Sequence, residues 1–253
     1  MTKVAIIPAR GGSTRFKDKN IAILGGKPLI CWSVEAVLNS GEFDDVYVST
    51  NSDKIFDAVK HLNVKRHVRP EHHATTRATV LDAMMDLMEN IPKYDIFAFF
   101  LPTCPFIKSE SIKQGVQMLD DNTDSVVSVS YYEEPIQLAC VKKGEHIIPI
   151  FDNLTAGLTN SKFIQKYVKP NGGFYISKWD NLVEHKNFFK GNVDWVLSHS
   201  QGLKNWFCSF REKIVLAGSG TGYDWVLLRS IMKIKYMEDI PSYLDNWPID
   251  VIS

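Results

Sequence analysis

Through the first half of the chain, short β-branched apolar bursts alternate with stretches whose apolar residues recur at helical spacing. Val4–Ile7 reads as a buried strand, with Val46–Ser49, Val64–Val68, Ile96–Leu101 and Ser125–Ser130 as further strands. Between them lie helical patterns. Leu29–Leu38 starts just after Pro28 and stops near Gly41, and Asp53–Leu62 sets Ile55, Ala58, Val59 and Leu62 on one stripe. Val80–Met88 and Ser109–Leu119 follow, the latter with Ser109 as its cap. The run Ile96-Phe-Ala-Phe-Phe-Leu101 suits a central strand buried on both faces, and Pro102-Thr-Cys-Pro105 cannot continue its ladder. This alternation predicts an α/β fold of three layers around a mostly parallel, doubly wound sheet, with ligands at the carboxyl ends of the strands. The loops 10–20, 49–53 and 102–105 then share one edge.

After Ser130 the rhythm breaks. Tyr131-Tyr-Glu-Glu-Pro-Ile-Gln137 opens an irregular stretch to about Lys169, followed by Asn171-Gly-Gly-Phe-Tyr-Ile176. Residues 131–169 are therefore expected to form an arm or lid carrying a dimer contact, inside a single domain spanning 1–253.

Composition narrows the function classes. With 253 residues, 45% hydrophobic and 23% charged, the chain can bury one full core, and 29 basic against 29 acidic residues leave no field that favours nucleic acid or an anionic membrane. Any anion site must be local. No apolar run approaches a membrane span and the residues after Lys3 are too few for a signal core, so a cytoplasmic location is expected. Cys31, Cys104, Cys140 and Cys208 stand singly, which disfavours a zinc site and a disulfide framework. His72-His73 lacks the spacing of a zinc-protease helix, and no Gly-x-Ser-x-Gly elbow occurs.

Candidate chemistry lies in the first turn. Gly11 and Gly12 let backbone amides approach oxygens closely, while Arg10, Arg15 and Lys19 bring charge to the same mouth, as a nucleoside triphosphate requires. It is neither of the common phosphate loops. Gly26-Lys27 is followed by Pro28 where a Walker motif needs Ser or Thr, and Gly11-Gly12 has no third glycine at the dinucleotide-binding offset.

Ile7-Pro-Ala-Arg-Gly-Gly-Ser13, Lys19-Asn20 and Gly26-Lys27-Pro28-Leu29 resemble the amino-terminal signature of the cytidylyltransferases that activate sialic, legionaminic and pseudaminic acids. Val48-Ser-Thr-Asn51, Arg69-Pro70-Glu71, Pro102-Thr103-Cys104-Pro105 and Asn171-Gly172-Gly173-Phe174-Tyr175 follow in the family's order, so the likeness covers roughly residues 3 to 197. It implies a nucleotide-diphospho-sugar transferase fold, a homodimer, and attack by a nonulosonic acid's anomeric hydroxyl on the α-phosphate of CTP. By the same likeness Arg10 and Lys19 are catalytic, and Ala9, Gly11, Gly12, Ser13, Asn20, Arg69, Thr79, Pro102 and Thr103 surround the nucleotide. The amides of Gly11, Gly12 and Ser13 would hold the triphosphate, and Gln137, Asn171 and Gly172 would meet the sugar.

One segment departs from the family. An Asp-x-Asp-Thr-x-x-Asp stretch whose carboxylates bind Mg²⁺ is replaced here by Gly218-Ser-Gly-Thr-Gly-Tyr-Asp224. Asp224 is the remaining candidate metal ligand, with Asp194 and Asp250 as alternative carboxylates. Thr14, Leu101 and Ile107 stand where the family carries lysine, glutamine and arginine. Two rival readings stay open at this level: a catalytically silent homologue, whose case is Gly218 and Gly220, and a nucleotidyltransferase for another sugar or base. Residues 132–137 and Pro105-Phe106 lean to the pseudaminic branch, whereas Asn171-Gly172 leans to the sialic and legionaminic one.

Overall fold

The computed structural model describes residues 1–12, 18–75, 79–132, 135–160 and 162–198. The order is β1 (Lys3–Pro8), a hairpin of β2 (Ile23–Leu24) and β3 (Lys27–Pro28), α1 (Leu29–Ser40), β4 (Asp45–Thr50), α2 (Asp53–Val59), β5 (Lys65–Val68), α3 (Val80–Glu89) and β6 (Ile96–Phe100). Then come α4 (Ser109–Gln117), β7 (Ser125–Tyr131), the hairpin β8 (Cys140–Lys143) and β9 (His146–Pro149), β10 (Val168–Lys178), α5 (Trp179–His185) and β11 (Val193–Leu197). Short 3₁₀ turns cover Lys19–Ile21, Glu71–His73 and Ile136–Leu138.

The main sheet runs β11-β7-β10-β6-β1-β4-β5, with β10 antiparallel to both neighbours and the other pairs parallel. Side-chain alternation splits the core between two faces. Ala5, Ile7, Val48, Ala98 and Phe100 face α1, α2 and α4 through Ile30, Val34, Ile55, Val59, Ile112 and Val116. Val4, Ile6, Phe97 and Phe99 face α3 and α5 through Met84, Leu87, Trp179 and Leu182. Every residue of β6 is buried, as its uniform apolarity requires. This is the three-layer, mostly parallel architecture read from the alternation.

Several local expectations need correction. Lys108, not Ser109, occupies the N-cap position of α4, with no side-chain cap bond, and Ser109 is the first helical residue. The cap argument failed because a serine at a helix start fits either position. Helix α2 ends at Val59 rather than Leu62, although Leu62 still packs on the core from the following turn. Within the stretch read as irregular, β8 and β9 form a hairpin across Gly144, whose φ is 64°. Its faces are largely exposed, so no inside-outside alternation advertised it. Strand β10 extends well beyond residues 171–176, and its register against β7 shifts between Pro170 and Tyr175, an irregularity at the proline that cannot donate to a ladder.

Candidate active site

The carboxyl ends of β1, β4, β5, β6 and β7 share one edge with the amino end of β10, because β10 alone runs the other way. The chain leaves β1 zipped to β4: the Ala9 amide donates to the Ser49 carbonyl at 2.9 Å, and the Gly11 amide donates to Asn51 Oδ1 at 2.9 Å. The Gly11 amide is thus held by Asn51, whereas the sequence assigned it to phosphate. A Cβ on Gly11 would lie 3.2 Å from Ser52 Cβ, so the turn is pressed against the start of α2. Gly12 has φ 68°, and among the described residues nothing lies within 4 Å of its Cβ position. Asn20 is buried, with Nδ2 donating to the Arg10 carbonyl at 3.1 Å. In this arrangement it braces the turn from beneath. Ser13 lies outside the described residues, as does Asp224 with the whole 218–224 stretch.

Arg10 and Arg69 converge on this mouth. Arg69, just after β5, is 4% exposed; its amide donates to the Thr50 carbonyl at 3.1 Å and its Nη2 to the His73 carbonyl. Arg69 Nε is buried without a partner among the described residues. Arg10 Nη1 donates to the carbonyls of Thr75 and Ala74. Burial, and then the neighbouring Arg10 charge, lowers the Arg69 pKa from its ordinary value. Among the described residues no carboxylate is ion-paired with either guanidinium. Two like charges brought together, both held by neutral carbonyls, are an arrangement suited to an anion. Lys19 lies near enough to Cys104 that its charge acts on the thiol.

The other wall is the loop after β6. Ser33 Oγ donates to the Leu101 carbonyl at 3.0 Å, fixing the loop to α1, and Pro102 and Thr103 are buried behind it. The Cys104 thiol donates to the Gly172 carbonyl at 3.1 Å, and burial pushes its pKa up to about 12, so it stays a thiol. Gly172 has φ 77°, and a Cβ there would fall 2.6 Å from Leu101 Cδ1. Asn171 Oδ1 accepts from Ser128 Oγ at 2.7 Å and from the Gly173 amide at 3.0 Å, while Nδ2 donates to the Ser198 carbonyl at 3.0 Å. Its carboxamide therefore stitches β7, β10 and the end of β11 together. Gln137 differs. Its Nε2 donates to the Gln165 carbonyl at 2.8 Å, but Oε1 is buried with no partner among the described residues, in a residue 6% exposed. Thr79 forms a capping box with Asp82 at the start of α3, its hydroxyl donating to the Asp82 carboxylate at 2.6 Å and accepting from the Asp82 amide.

Ser49, His67 and Asp86 have the make-up of a hydrolase triad, with Ser49 Oγ 3.0 Å from His67 Nδ1 and His67 Nε2 3.7 Å from Asp86. Ser49, near the carboxyl end of β4, is 1% exposed, so no substrate carbonyl can reach its hydroxyl. Among the described residues no group of three or more His, Cys, Asp or Glu is placed to hold a metal ion. Asp194, one alternative carboxylate, pairs in register with Val126 near the start of β7 and accepts from Thr123 Oγ1 at 2.9 Å. That is the opposite end of the sheet from the mouth. No helix of the described residues is long and apolar enough to cross a membrane.

Sequence reasoning missed Asn51 and Glu71 as site builders. Asn51 Nδ2 donates to both Glu71 carboxylate oxygens, at 3.1 and 3.3 Å. Position was the available signal: Asn51 directly follows β4, on the ligand edge.

The fold is similar to that of a CMP:2-keto-3-deoxy-manno-octonic acid synthetase complexed with CTP, at TM-score 0.62 and 18% identity over 86% of this chain and 99% of the other. CMP-N,N'-diacetyllegionaminic acid synthase of Legionella pneumophila is 30% identical over 246 residues, 92% of this chain and 97% of its own length. N-acylneuraminate cytidylyltransferase of Escherichia coli is 31% identical over 188 residues, 74% of this chain, which spans 44% of that longer protein. The cytidylyltransferase family model matches residues 4–144, a stretch running from β1 through the arginine mouth and the loop after β6, and the chain belongs to that family.

Proposed function

We propose that this chain transfers CMP from CTP to a nine-carbon acidic sugar, with pyrophosphate as the second product. The observation that carries the reading is the convergence of Arg10 and Arg69, held by backbone carbonyls and ion-paired to no described carboxylate, on the ligand edge of the sheet. The sugar's anomeric hydroxyl loses its proton to solvent as its oxygen bonds to the α-phosphorus, and the bond from that phosphorus to the oxygen bridging to the β-phosphate breaks, so that pyrophosphate leaves with that oxygen. Arg10, Arg69 and Lys19 offset the charge that passes to the leaving pyrophosphate. Gly12, Ser13, Ala9, Asn20, Pro102 and Thr103 shape the nucleotide's seat, and Thr79 contributes by fixing α3 beside it. Gln137 Oε1, buried and unfilled, is the acceptor proposed for a sugar hydroxyl or amide, in a wall framed by Asn171 and Gly172.

Mg²⁺ would enter with the triphosphate and neutralise its oxygens, with Asp224 the one protein carboxylate proposed to meet it. The near end-to-end match to the Legionella enzyme favours a diacetylated legionaminic acid as acceptor. The whole described chain is proposed as one nucleotidyltransferase domain acting as a homodimer in the cytoplasm, with the 131–169 region as its dimer arm. Pyrophosphate release with CTP, Mg²⁺ and legionaminic, sialic and pseudaminic acids in parallel tests the reading. Turnover is expected with one of them; measurable CTP binding without turnover on any would favour the silent homologue.

A further inference from the structure

Glu71 sits oddly in a mouth built for phosphate. It opens the 3₁₀ turn Glu71–His73, exposed, in the segment that also holds both arginines, and by charge alone it repels a polyanion. Among the described residues it pairs with no cation. Both of its oxygens accept from Asn51 Nδ2, and Asn51 Oδ1 accepts the Gly11 amide. A carboxamide can turn over with little change of shape, exchanging donor for acceptor. A carboxylate accepts only, so it holds Nδ2 towards itself and leaves Oδ1 facing Gly11. Turned over, Asn51 would set an N–H group against the Gly11 N–H and drive the glycine turn from its seat. The next residues of the same segment supply the carbonyls of His73 to Arg69 and of Ala74 and Thr75 to Arg10.

We propose that Glu71 is a positioning residue for CTP: it sets the orientation of the Asn51 carboxamide, hence the glycine turn, and anchors the 71–75 strap that aims both guanidiniums. The inference rests on reading this mouth as the CTP site. Charge and position make opposite forecasts, which separates them. Removing a carboxylate near a triphosphate should tighten binding if only its charge mattered, whereas loss of the acceptor should loosen it.

The test is titration calorimetry of CTP into the full chain, comparing wild type, Glu71→Ala and Glu71→Gln. Glu71→Ala is expected to weaken CTP about tenfold despite the lost negative charge, while Glu71→Gln, which keeps an acceptor for Asn51, binds as wild type or tighter. In turnover the Glu71→Ala loss should fall on the KM for CTP and leave the KM for sugar unmoved, a split that general loosening of the fold would not give. Unweakened CTP binding by Glu71→Ala, or a Glu71→Gln protein as weak as Glu71→Ala, overturns the proposal. A wild-type chain that binds no CTP overturns the reading beneath it, and this inference with it.

Discussion

Arg10 and Arg69 show how a residue's neighbours decide its use. An arginine paired with a carboxylate is spent, whereas these two are held by neutral carbonyls, which leaves their charge available to an anion. Arg10→Ala or Lys19→Ala is therefore expected to cut turnover by roughly 10²-fold, with the unfolding midpoint little changed, since a loop cation contributes little core. Steady-state kinetics and thermal melts on the same samples check this, and unchanged CTP binding in either variant would contradict the site. Gly172 acts on structure instead. Its φ of 77° strains any side chain, and Leu101 Cδ1, 2.6 Å from a Cβ there, would have to move, so Gly172→Ala should cost about 1–3 kcal/mol, read as a lower denaturation midpoint.

At the scale of elements, β5 and α3 carry a pH dependence. His67 on β5 touches Ser49, Asp86 lies 3.7 Å away, and burial lowers its pKa below the usual 6.5, with Asp86 pulling upward and Arg69 downward. Below pH 6.5 the unfolded chain takes up a proton that the native state resists, so this contribution to stability is complete above that pH and falls away as pH drops through the native pKa. Denaturation midpoints between pH 7.5 and 5 should fall, and His67→Gln should flatten the slope. An unaltered slope in that variant would assign the effect to other groups. Elements were also where the sequence was most legible. Parallel strands buried on both faces, such as Val4–Ile7 and Ile96–Leu101, declare themselves by unbroken apolarity, and α1, α2 and α3 by their stripes. The hairpin of β8 and β9 has Val141, Ile147 and Ile148 exposed, so no buried face announced it in the sequence. In the site, motif residues such as Arg10 and Arg69 were legible from resemblance. Asn51 and Glu71 were not, because their role lies in which atom of a carboxamide faces which partner, a matter of three dimensions.

For the molecule as a whole, that exposed apolar surface bears on assembly. Ile147 is 73% exposed and Phe163 87%, with Ile150 and Leu158 also exposed in the same 131–169 region. A second copy of the chain is the proposed cover, and Ile147→Asp is expected to shift the protein towards monomer in light scattering. A wild-type protein that is monomeric at micromolar concentration would contradict the dimer arm. The central claim, CMP transfer to a nonulosonic acid, is tested most directly by pyrophosphate release from CTP and Mg²⁺ with and without N,N'-diacetyllegionaminic acid. The account predicts release that depends on sugar, on metal and on Arg10 together. No release with any nine-carbon acidic sugar, from protein shown to be folded, would contradict it.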